Sequence, residues 1–209
     1  MKSEKNRSVK DHWENIYNAK AETELSWFQS YPACSMQFID SLNLAKEANI
    51  IDVGGGESRL ADALVDKDYQ NIWVLDISAS AIEKTKQRLG EKGNSIHWIV
   101  SDITEFIPPV KFDCWHDRAT FHFLTVKEKI SQYVTIAENA IKQNGYLIIG
   151  TFSEKGPKKC SGLEASQYSE NSMTEKFEHA FEKINCIQED HITPFNTRQN
   201  FLFCCFKKQ

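Results

Sequence analysis

The stretch "IIDVGGGESRL", residues 50–60, places three consecutive glycines between an apolar run and a polar segment. Residues 50–53 have the length and composition of a buried strand, and the polar residues after the glycines can open a helix. Glycine lets the backbone turn sharply and lets a ligand approach closely. A turn between strand and helix lies at the carboxyl end of an open α/β sheet, where ligands bind. The stretch therefore predicts a ligand-binding turn, with an ordinary connection as the alternative.

The rest of the chain alternates between apolar runs and helix-like segments. Predicted strands lie at residues 50–53, 72–75, 96–100, 112–115 and 146–152, and predicted helices at 58–65, 80–89, 127–142 and near 172–181. Gly145 is expected to turn the chain from the third helix into the fifth strand. Two final strand candidates, "KINCIQEDHIT" and "NFLFCCFKK", have no helix between them and predict an antiparallel hairpin at or near the sheet edge. The pattern predicts a three-layer α/β sandwich with a mostly parallel seven-stranded sheet.

Composition indicates one globular domain. The chain has 209 residues, of which 41% are hydrophobic and 26% charged, and its net charge is −4. This balance argues against a nucleic-acid-holding protein, and no apolar run approaches the ~20 residues that span a bilayer. The six cysteines form no CxxC pair, so buried or free thiols and no metal cluster are expected. With no signal-peptide pattern in the charged N-terminus, we expect a cytoplasmic protein without membrane or nucleic-acid partners.

Carboxylates also end the second and third predicted strands. Asp76 closes "IWVLDIS", 24 residues after Asp52, and Asp102 lies in "HWIVSDIT". An acid at the first position can accept hydrogen bonds from ribose hydroxyls, and one at the second can accept from an adenine amino group. A dinucleotide site would need a third glycine where Arg59 stands. Asp52 beside the turn also suits a cationic group better than a pyrophosphate.

With these motifs in order, the sequence resembles the class I S-adenosylmethionine (SAM) methyltransferases. "DVGGGES", "LDIS" and "SDIT" are similar to the family's glycine-rich, second and third acidic motifs. The resemblance covers about residues 50–208 and implies a Rossmann-like fold that binds SAM. The implied domain is 1–209, with an N-terminal helical or lid segment at 1–45 and a SAM-binding core at 46–209. The implied cofactor-binding residues are Trp27, Asp52, Gly54, Gly56, Asp76, Ile77, Asp102 and Ile103.

The segment "FDCWHDRATFHFL", residues 112–124, follows the fourth strand, where the reacting methyl group is expected. It resembles a segment of thiopurine and thiol methyltransferases, and equally one of some protein-lysine methyltransferases. A thiol needs only a cationic neighbour, such as Arg118, whereas a lysine needs a base to remove its proton. We therefore name Asp117, His116 and Arg118 as candidate catalytic residues. Alternatively, Asp117 and Arg118 form a structural ion pair and His122 is a satisfied helix residue.

Two flanking segments are candidates for covering this site. "ELSWFQSYP", residues 24–32, either covers the cofactor or buries a helix, and the preceding "HWENIYNAK" resembles the family's N-terminal W-x-x-x-Y segment. The loop "EKGPKKCSGLEASQYS", residues 154–169, contains Cys160, which either faces the pocket or is incidental. His191 either reaches the same face or has a capping role.

The leading hypothesis is methyl transfer from SAM to a small-molecule heteroatom, with a thiol or related chalcogen as the most specific acceptor. The chain has no basic stripe with interleaved aromatics and little sequence beyond the core to dock a large partner. A protein-lysine methyltransferase of the same fold is the first alternative. A nucleotide-binding oxidoreductase or a non-catalytic binding module is the second.

Overall fold

A computed structural model describes residues 8–209; the first seven residues of the predicted N-terminal segment lie outside this range. The α-helices are α1 (Val9–Ala19), α2 (Ala33–Ser41), α3 (Leu60–Asp66), α4 (Ala79–Leu89), α5 (Lys127–Ala140) and α6 (Glu170–Phe177). The strands are β1 (Asn49–Val53), β2 (Asn71–Asp76), β3 (His97–Val100), β4 (Phe112–Arg118), β5 (Ile141–Ser153), β6 (Lys159–Cys160), β7 (Leu163–Glu164), β8 (Gln167–Tyr168), β9 (Phe181–Ile192) and β10 (Arg198–Lys208).

The main sheet has the order β3-β2-β1-β4-β5-β10-β9, and the two-residue strand β8 joins β5 as an eighth member. Strands β1 to β5 pair in parallel, whereas β10 pairs antiparallel with both β5 and β9. The predicted α/β class, the parallel core and the C-terminal antiparallel hairpin are confirmed. Strands β6 and β7 form a separate small hairpin that was expected to be loop.

Two apolar cores, one on each face, hold the sheet between its helices. Side chains alternate along a strand, so Ile50 packs into one core and Ile51 into the other. Helices α2 and α3 cover the first face, and α5 and α6 cover the second. Strand β1 is buried on both faces, so its pairing with β2 and β4 and the turn after it are rigidly placed. The residues at its carboxyl end are therefore held in fixed positions.

The junction between α5 and β5 differs from the prediction. Strand β5 begins at Ile141, directly after the helix, and Gly145 lies inside the strand. Asn144 has a φ of 63°, and the β4–β5 pairing shifts register in this region. A β-carbon at Gly145 would lie 2.9 Å from the carbonyl oxygen of Lys142 and 3.1 Å from that of Asp113. This glycine therefore permits close approach at a bulge and does not end the helix.

The cysteine prediction is wrong for two of the six residues. Cys186 and Cys204 are directly opposed on β9 and β10 and form a disulfide. The other four, Cys34, Cys114, Cys160 and Cys205, are buried free thiols. The cysteines therefore do not by themselves indicate a reducing compartment. Within residues 8–209, no helix has the length and apolar character needed to cross a bilayer.

Candidate active site

The glycine turn after β1 is packed too tightly for side chains. Gly54 has a φ of 68°, and a β-carbon there would lie 1.7 Å from Oγ1 of Thr120. At Gly56, whose φ is 30°, a β-carbon would lie 2.7 Å from the Asp76 carboxylate and 2.9 Å from the Tyr17 hydroxyl. The bare backbone therefore lets the ends of β4 and β2 and helix α1 converge on one point.

Asp52 is a buried organising residue at the end of β1. Its Oδ2 accepts a hydrogen bond from Ser58 Oγ at 2.8 Å, and its Oδ1 lies 2.8 Å from Nδ1 of His116. Nε2 of His116 lies 2.8 Å from Ser35 Oγ. Because both ring nitrogens are engaged and the ring is buried, the expectation that His116 removes a proton from the acceptor is not supported. This residue positions the Asp52 carboxylate.

Asp76 and Asp102 end β2 and follow β3, as predicted. Asp76 is 4% exposed and accepts a hydrogen bond at 2.8 Å from the amide of Ser78. Burial raises the pKa of Asp76 to about 7, although hydrogen bonds from the Ser78 and Gly56 amides act in the opposite direction. Oδ1 of Asp102 accepts hydrogen bonds from the amide and hydroxyl of Thr104, each at 2.8 Å. Each carboxylate keeps acceptor capacity for a ligand.

Asp117, one of the predicted catalytic residues, lines neither cavity of the site. Its carboxylate is fully buried and accepts hydrogen bonds from the amides of Thr120 and Phe121, at 2.9 and 3.3 Å. It also accepts a hydrogen bond at 2.7 Å from the hydroxyl of Tyr133, which in turn accepts one from Trp115. All these contacts shape the turn after β4. Asp117 is therefore a positioning residue, and it forms no ion pair with its neighbour Arg118 in the described structure.

Arg118 is the one of the three candidate catalytic residues that lines the cavity containing Asp76 and Cys160. Its Nη1 donates a 3.0 Å hydrogen bond to the carbonyl of Trp27, and the guanidinium lies 4.9 Å from the centre of the Phe201 ring. Its Nε and Nη2 are buried and have no partner among the described residues. Burial lowers the pKa of Arg118 to about 10, with attraction to Glu189 acting against this, so the group stays charged at neutral pH. Two unpaired buried donors cost about 1–3 kcal/mol each.

His122 lies beside Arg118 with its protonation state fixed by the fold. The amide of Phe152 donates a 3.3 Å hydrogen bond to Nδ1 of His122, so the hydrogen is on Nε2. Burial, followed by the charge of Arg118, lowers the pKa of His122 to about 3. The neutral ring stacks on Phe152 with 4.3 Å between centroids, and its Nε2 has no partner in the described residues. His122 is therefore not the satisfied helix residue of the alternative interpretation.

Helix α1 covers the site and is anchored to helix α4. The carboxylate of Glu14 accepts hydrogen bonds from Ser78 Oγ at 3.0 Å and from the amides of Ala79 and Ser80 at 2.7 and 3.2 Å. These groups form the N-terminus of α4, where a negative charge is favourable. Burial alone would raise the pKa of Glu14, but these hydrogen bonds outweigh it and lower the pKa. The carboxylate therefore fixes helix α1 to the N-terminus of α4, which follows Asp76.

Aromatic side chains of the N-terminal segment form the roof. Trp13 packs edge-on against Trp27 and Phe123, with ring centroids 5.8 and 5.0 Å apart, and Tyr17 lies 6.1 Å from Trp27. Trp27 lines the main cavity of the site, and Phe28 lines a second cavity that adjoins it. Tyr31, by contrast, is 52% exposed.

The β6–β7 hairpin closes the other side of the cavity. Cys160 is buried and lines the cavity, and burial raises the pKa of its thiol. The hairpin is joined to helix α1 by a 3.0 Å hydrogen bond between His12 Nε2 and the carbonyl of Ser161. His191 on β9 is buried and donates from Nε2 to the carbonyl of Ser26 at 2.8 Å. These two hydrogen bonds tie the N-terminal segment to the hairpin and to the sheet.

Two adjoining cavities share Tyr17, Trp27, Gly54 and Arg118. The first cavity has two groups of lining residues, for which we use the names cofactor side and acceptor side: Leu75, Asp76, Ile77, Asp102, Ile103, Leu124 and Lys129 form the first group, and His122, Phe123, Phe152, Cys160, Gln199 and Phe201 form the second. The second is lined by residues that include Ser35, Asp52, Gly55, Arg59 and His116. Apart from Gly56, which supports the turn from below, every predicted cofactor-binding residue lines one of the two cavities.

Sequence reasoning did not single out Glu14, Gln199 or Phe201. Glu14 lies between Trp13 and Tyr17, so the W-x-x-x-Y segment pointed to its region but not to its contact with α4. Gln199 and Phe201 lie on β10, and their place at the cavity depends on the pairing of that strand with β5. No local signal identifies them.

Residues 44–200 match the family model described as a methyltransferase domain. The chain is 26% identical over 134 residues to the eEF1A lysine and N-terminal methyltransferase of Mus musculus. It is 29% identical over 107 residues to malonyl-[acyl-carrier protein] O-methyltransferase 2 of Ilyobacter polytropus. These alignments cover 62% and 51% of this chain but only 19% and 40% of the two relatives.

Solved structures share the fold at low identity. One, from the conversion of a disulfide bond into a thioacetal group during echinomycin biosynthesis, has a TM-score of 0.77 at 14% identity, covering 97% of this chain and 92% of that one. Another, the N-methyltransferase NodS of Bradyrhizobium japonicum in complex with S-adenosylhomocysteine, has a TM-score of 0.70 at 16% identity, covering 96% and 99%.

The residues present fit SAM. The glycine turn leaves space that a β-carbon would fill. Asp76 is a buried acceptor for hydroxyl donors, and Asp102 and Ile103 line the first cavity. Asp52 provides a negative charge where the two cavities adjoin the turn. With three quarters of its length matching the methyltransferase family model, the chain belongs to the class I SAM-dependent methyltransferases.

Proposed function

We propose that this enzyme methylates a heteroatom of a small molecule, with a thiol or related chalcogen as the most specific acceptor class. When bound, SAM supplies a methyl group on a sulfonium, which a nucleophile displaces in line. The enclosure of the acceptor side carries the proposal. Trp27 of the N-terminal segment, Cys160 of the β6–β7 hairpin and Phe201 of β10 line one cavity. The roof segment is fastened to the sheet by Arg118 and His191.

The proposed roles follow from position. Gly54 and Gly56 give the cofactor's amino-acid part access to the backbone, and Asp52 balances its ammonium. Asp76 accepts from the ribose hydroxyls, and Asp102 lies at the adenine. Trp27, Ile77 and Ile103 supply apolar contact. Catalysis then rests on holding two reactants close and aligned in a site that excludes water.

Asp117 and His116 act through other residues. Asp117 binds the two amides that follow Ala119, which has a φ of 74°, and thereby fixes the turn that presents Arg118 and Thr120. His116 holds the Asp52 carboxylate in place. Arg118 alone of the three predicted catalytic residues is placed to touch the acceptor.

A protein-lysine acceptor is the second candidate. The curated relatives include eEF1A lysine methyltransferases of Mus musculus and Danio rerio, the latter 25% identical over 156 residues. The curated relatives also include malonyl-[acyl-carrier protein] O-methyltransferases. The neighbour from echinomycin biosynthesis is consistent with a sulfur acceptor.

A labelled-methyl assay tests the proposal. The purified chain is incubated with methyl-labelled SAM and either thiophenol or a lysine-containing peptide together with purified eEF1A. We expect label in the thiol and none in the lysine substrates. Asp76→Asn removes the predicted ribose contact and should abolish transfer, whereas Asp66→Asn, at a carboxylate whose side chain is 63% exposed, should leave it intact. Label in lysine and not in the thiol would reverse the assignment.

A further inference from the structure

Two side chains that line the acceptor side of the cavity carry hydrogen-bond donors without a partner among the described residues. Nε and Nη2 of Arg118 and Nε2–H of His122 are buried and unpartnered among residues 8–209. Both side chains line the same cavity, and His122 has no exposed surface. Such donors call for a ligand that accepts hydrogen bonds, and a charged donor is best matched by an anion.

No group on this side is placed to remove a proton. Nδ1 of His122 already accepts from Phe152, and the hydrogen on Nε2 leaves that nitrogen without a free lone pair. Burial raises the pKa of the Cys160 thiol and of the Tyr17 hydroxyl, so both stay neutral. Arg118 is therefore the one ionised side chain among the described residues that line the acceptor side.

The charge of Arg118 is not cancelled at the cavity surface. Glu189, on β9, attracts the guanidinium but lines neither cavity. Asp52, the other carboxylate that acts on Arg118, is already bound to Ser58 and His116. The face of the guanidinium toward the acceptor keeps its positive potential, which would repel a lysine ammonium.

Resting on the proposed function, we infer that the acceptor is a small aromatic anion, a thiolate or carboxylate, whose charged atom is held by Arg118 and the Nε2–H of His122. The rings of Phe152 and Phe201, 4.9 Å apart between centroids, with Phe123 nearby, supply the apolar wall for its body. A lone pair of the anion forms the bond to the methyl carbon. The carbon–sulfur bond breaks with its electron pair going to the sulfonium sulfur, and no proton has to leave.

Matched probes of one size test the inference by binding. Wild-type protein saturated with S-adenosylhomocysteine is titrated calorimetrically with benzoate, benzamide and benzylamine. We expect benzoate to bind at least tenfold more tightly than the neutral amide or the cationic amine. A second experiment uses SAM in place of S-adenosylhomocysteine and supplies either benzoate or thiophenol. The product that forms, methyl benzoate or thioanisole, then shows which of the two anion classes is methylated.

Variants assign the contacts. His122→Phe keeps the ring but removes the donor, and Arg118→Met and Arg118→Lys remove the charge and the planar donor set respectively. Each should weaken benzoate binding about tenfold or more. His122→Phe should bind S-adenosylhomocysteine as wild type does, which also shows that it folds. Equal binding of benzoate and benzamide, or unchanged benzoate binding by His122→Phe and Arg118→Lys, would overturn the inference.

Two further outcomes keep the proposals apart. If S-adenosylhomocysteine itself fails to bind wild-type protein, the proposed function fails. If Arg118→Met weakens S-adenosylhomocysteine but not 5′-methylthioadenosine, which lacks the amino-acid part, Arg118 holds the cofactor's carboxylate and the anion-acceptor inference is overturned while methyl transfer stands.

Discussion

Asp76→Asn should stabilise the empty protein while removing cofactor binding. The carboxyl is 4% exposed, and burial raises its pKa in the folded state to about 7, against about 3.9 in an unfolded chain. A folded-state pKa above the unfolded one means that the wild type is most stable below about pH 4 and loses stability as pH rises to about 7. The two pKa values differ by about 3, and at 1.36 kcal/mol for each pH unit this lowers the free energy of unfolding of wild type by about 4 kcal/mol at pH 8. Asparagine has no charge to bury and does not carry this penalty.

The assay is urea unfolding of wild type and Asp76→Asn at pH 5, 6, 7 and 8. The difference in free energy of unfolding should grow in favour of the variant by about 1.4 kcal/mol per pH unit up to pH 7 and then level off. Packing differences at the new amide, such as a lost hydrogen bond from Gly56, add a constant that does not depend on pH. Asp66→Asn, at an exposed carboxylate, supplies the background.

The product of the cofactor, S-adenosylhomocysteine, should reduce the stability advantage of the variant. S-adenosylhomocysteine at a hundred times its Kd should stabilise wild type by about 2.7 kcal/mol and the variant by nothing. A pH-independent difference between the two proteins would refute the desolvation argument. Equal stabilisation of both by S-adenosylhomocysteine would refute the proposed contact between Asp76 and the cofactor.

Three further predictions concern the turn, the cover and the strand end. Gly54→Ala should abolish S-adenosylhomocysteine binding in a calorimetric titration, because its β-carbon would overlap Thr120. The control is Gly90→Ala, at a glycine that also has a positive φ but has nothing within 4 Å of its β-carbon position. This control separates the effect of the overlap from that of backbone strain. Glu14→Gln should weaken S-adenosylhomocysteine binding about fivefold, since it removes the charge at the start of α4 that anchors the cover; affinity equal to wild type would show that α1 docks without that charge. Asp117→Ala should lower the free energy of unfolding by about 2 kcal/mol or more, because two amides and a hydroxyl lose their acceptor. A free energy of unfolding in urea within about 0.5 kcal/mol of wild type, the scatter of neutral substitutions, would contradict this.

The fold and the cofactor side of the site were readable from local pattern. A strand, a glycine turn and a helix in sequence fix where ligands approach, and acids at the next two strand ends follow at predictable places. The residues after β4 were harder. Asp117 and Arg118 are neighbours in sequence, yet alternation along the strand sends the first into the core and the second to the cavity.

Contacts from distant segments decided the acceptor side. The sequence around His122 does not show whether its Nδ1 has a hydrogen-bond partner. That partner is the amide of Phe152 on β5, and its hydrogen bond to Nδ1 fixes the ring hydrogen on Nε2. Phe201 reaches the cavity through antiparallel pairing with β5, and Glu14 reaches the start of α4 across 65 residues. The disulfide between Cys186 and Cys204 likewise follows from strand register, which the spacing of cysteines does not encode.

The sequence by itself determined the architecture and the cofactor class, because both depend on periodicity and on a turn whose chemistry is local. The tertiary structure alone decided which polar groups are hydrogen-bonded within the fold and which have donors without a partner among the described residues. His116 and Asp117 belong to the first kind, and Arg118 and His122 to the second. The difference lies in hydrogen-bond partners supplied by segments far apart in the chain, and those partners exist only once the sheet has formed.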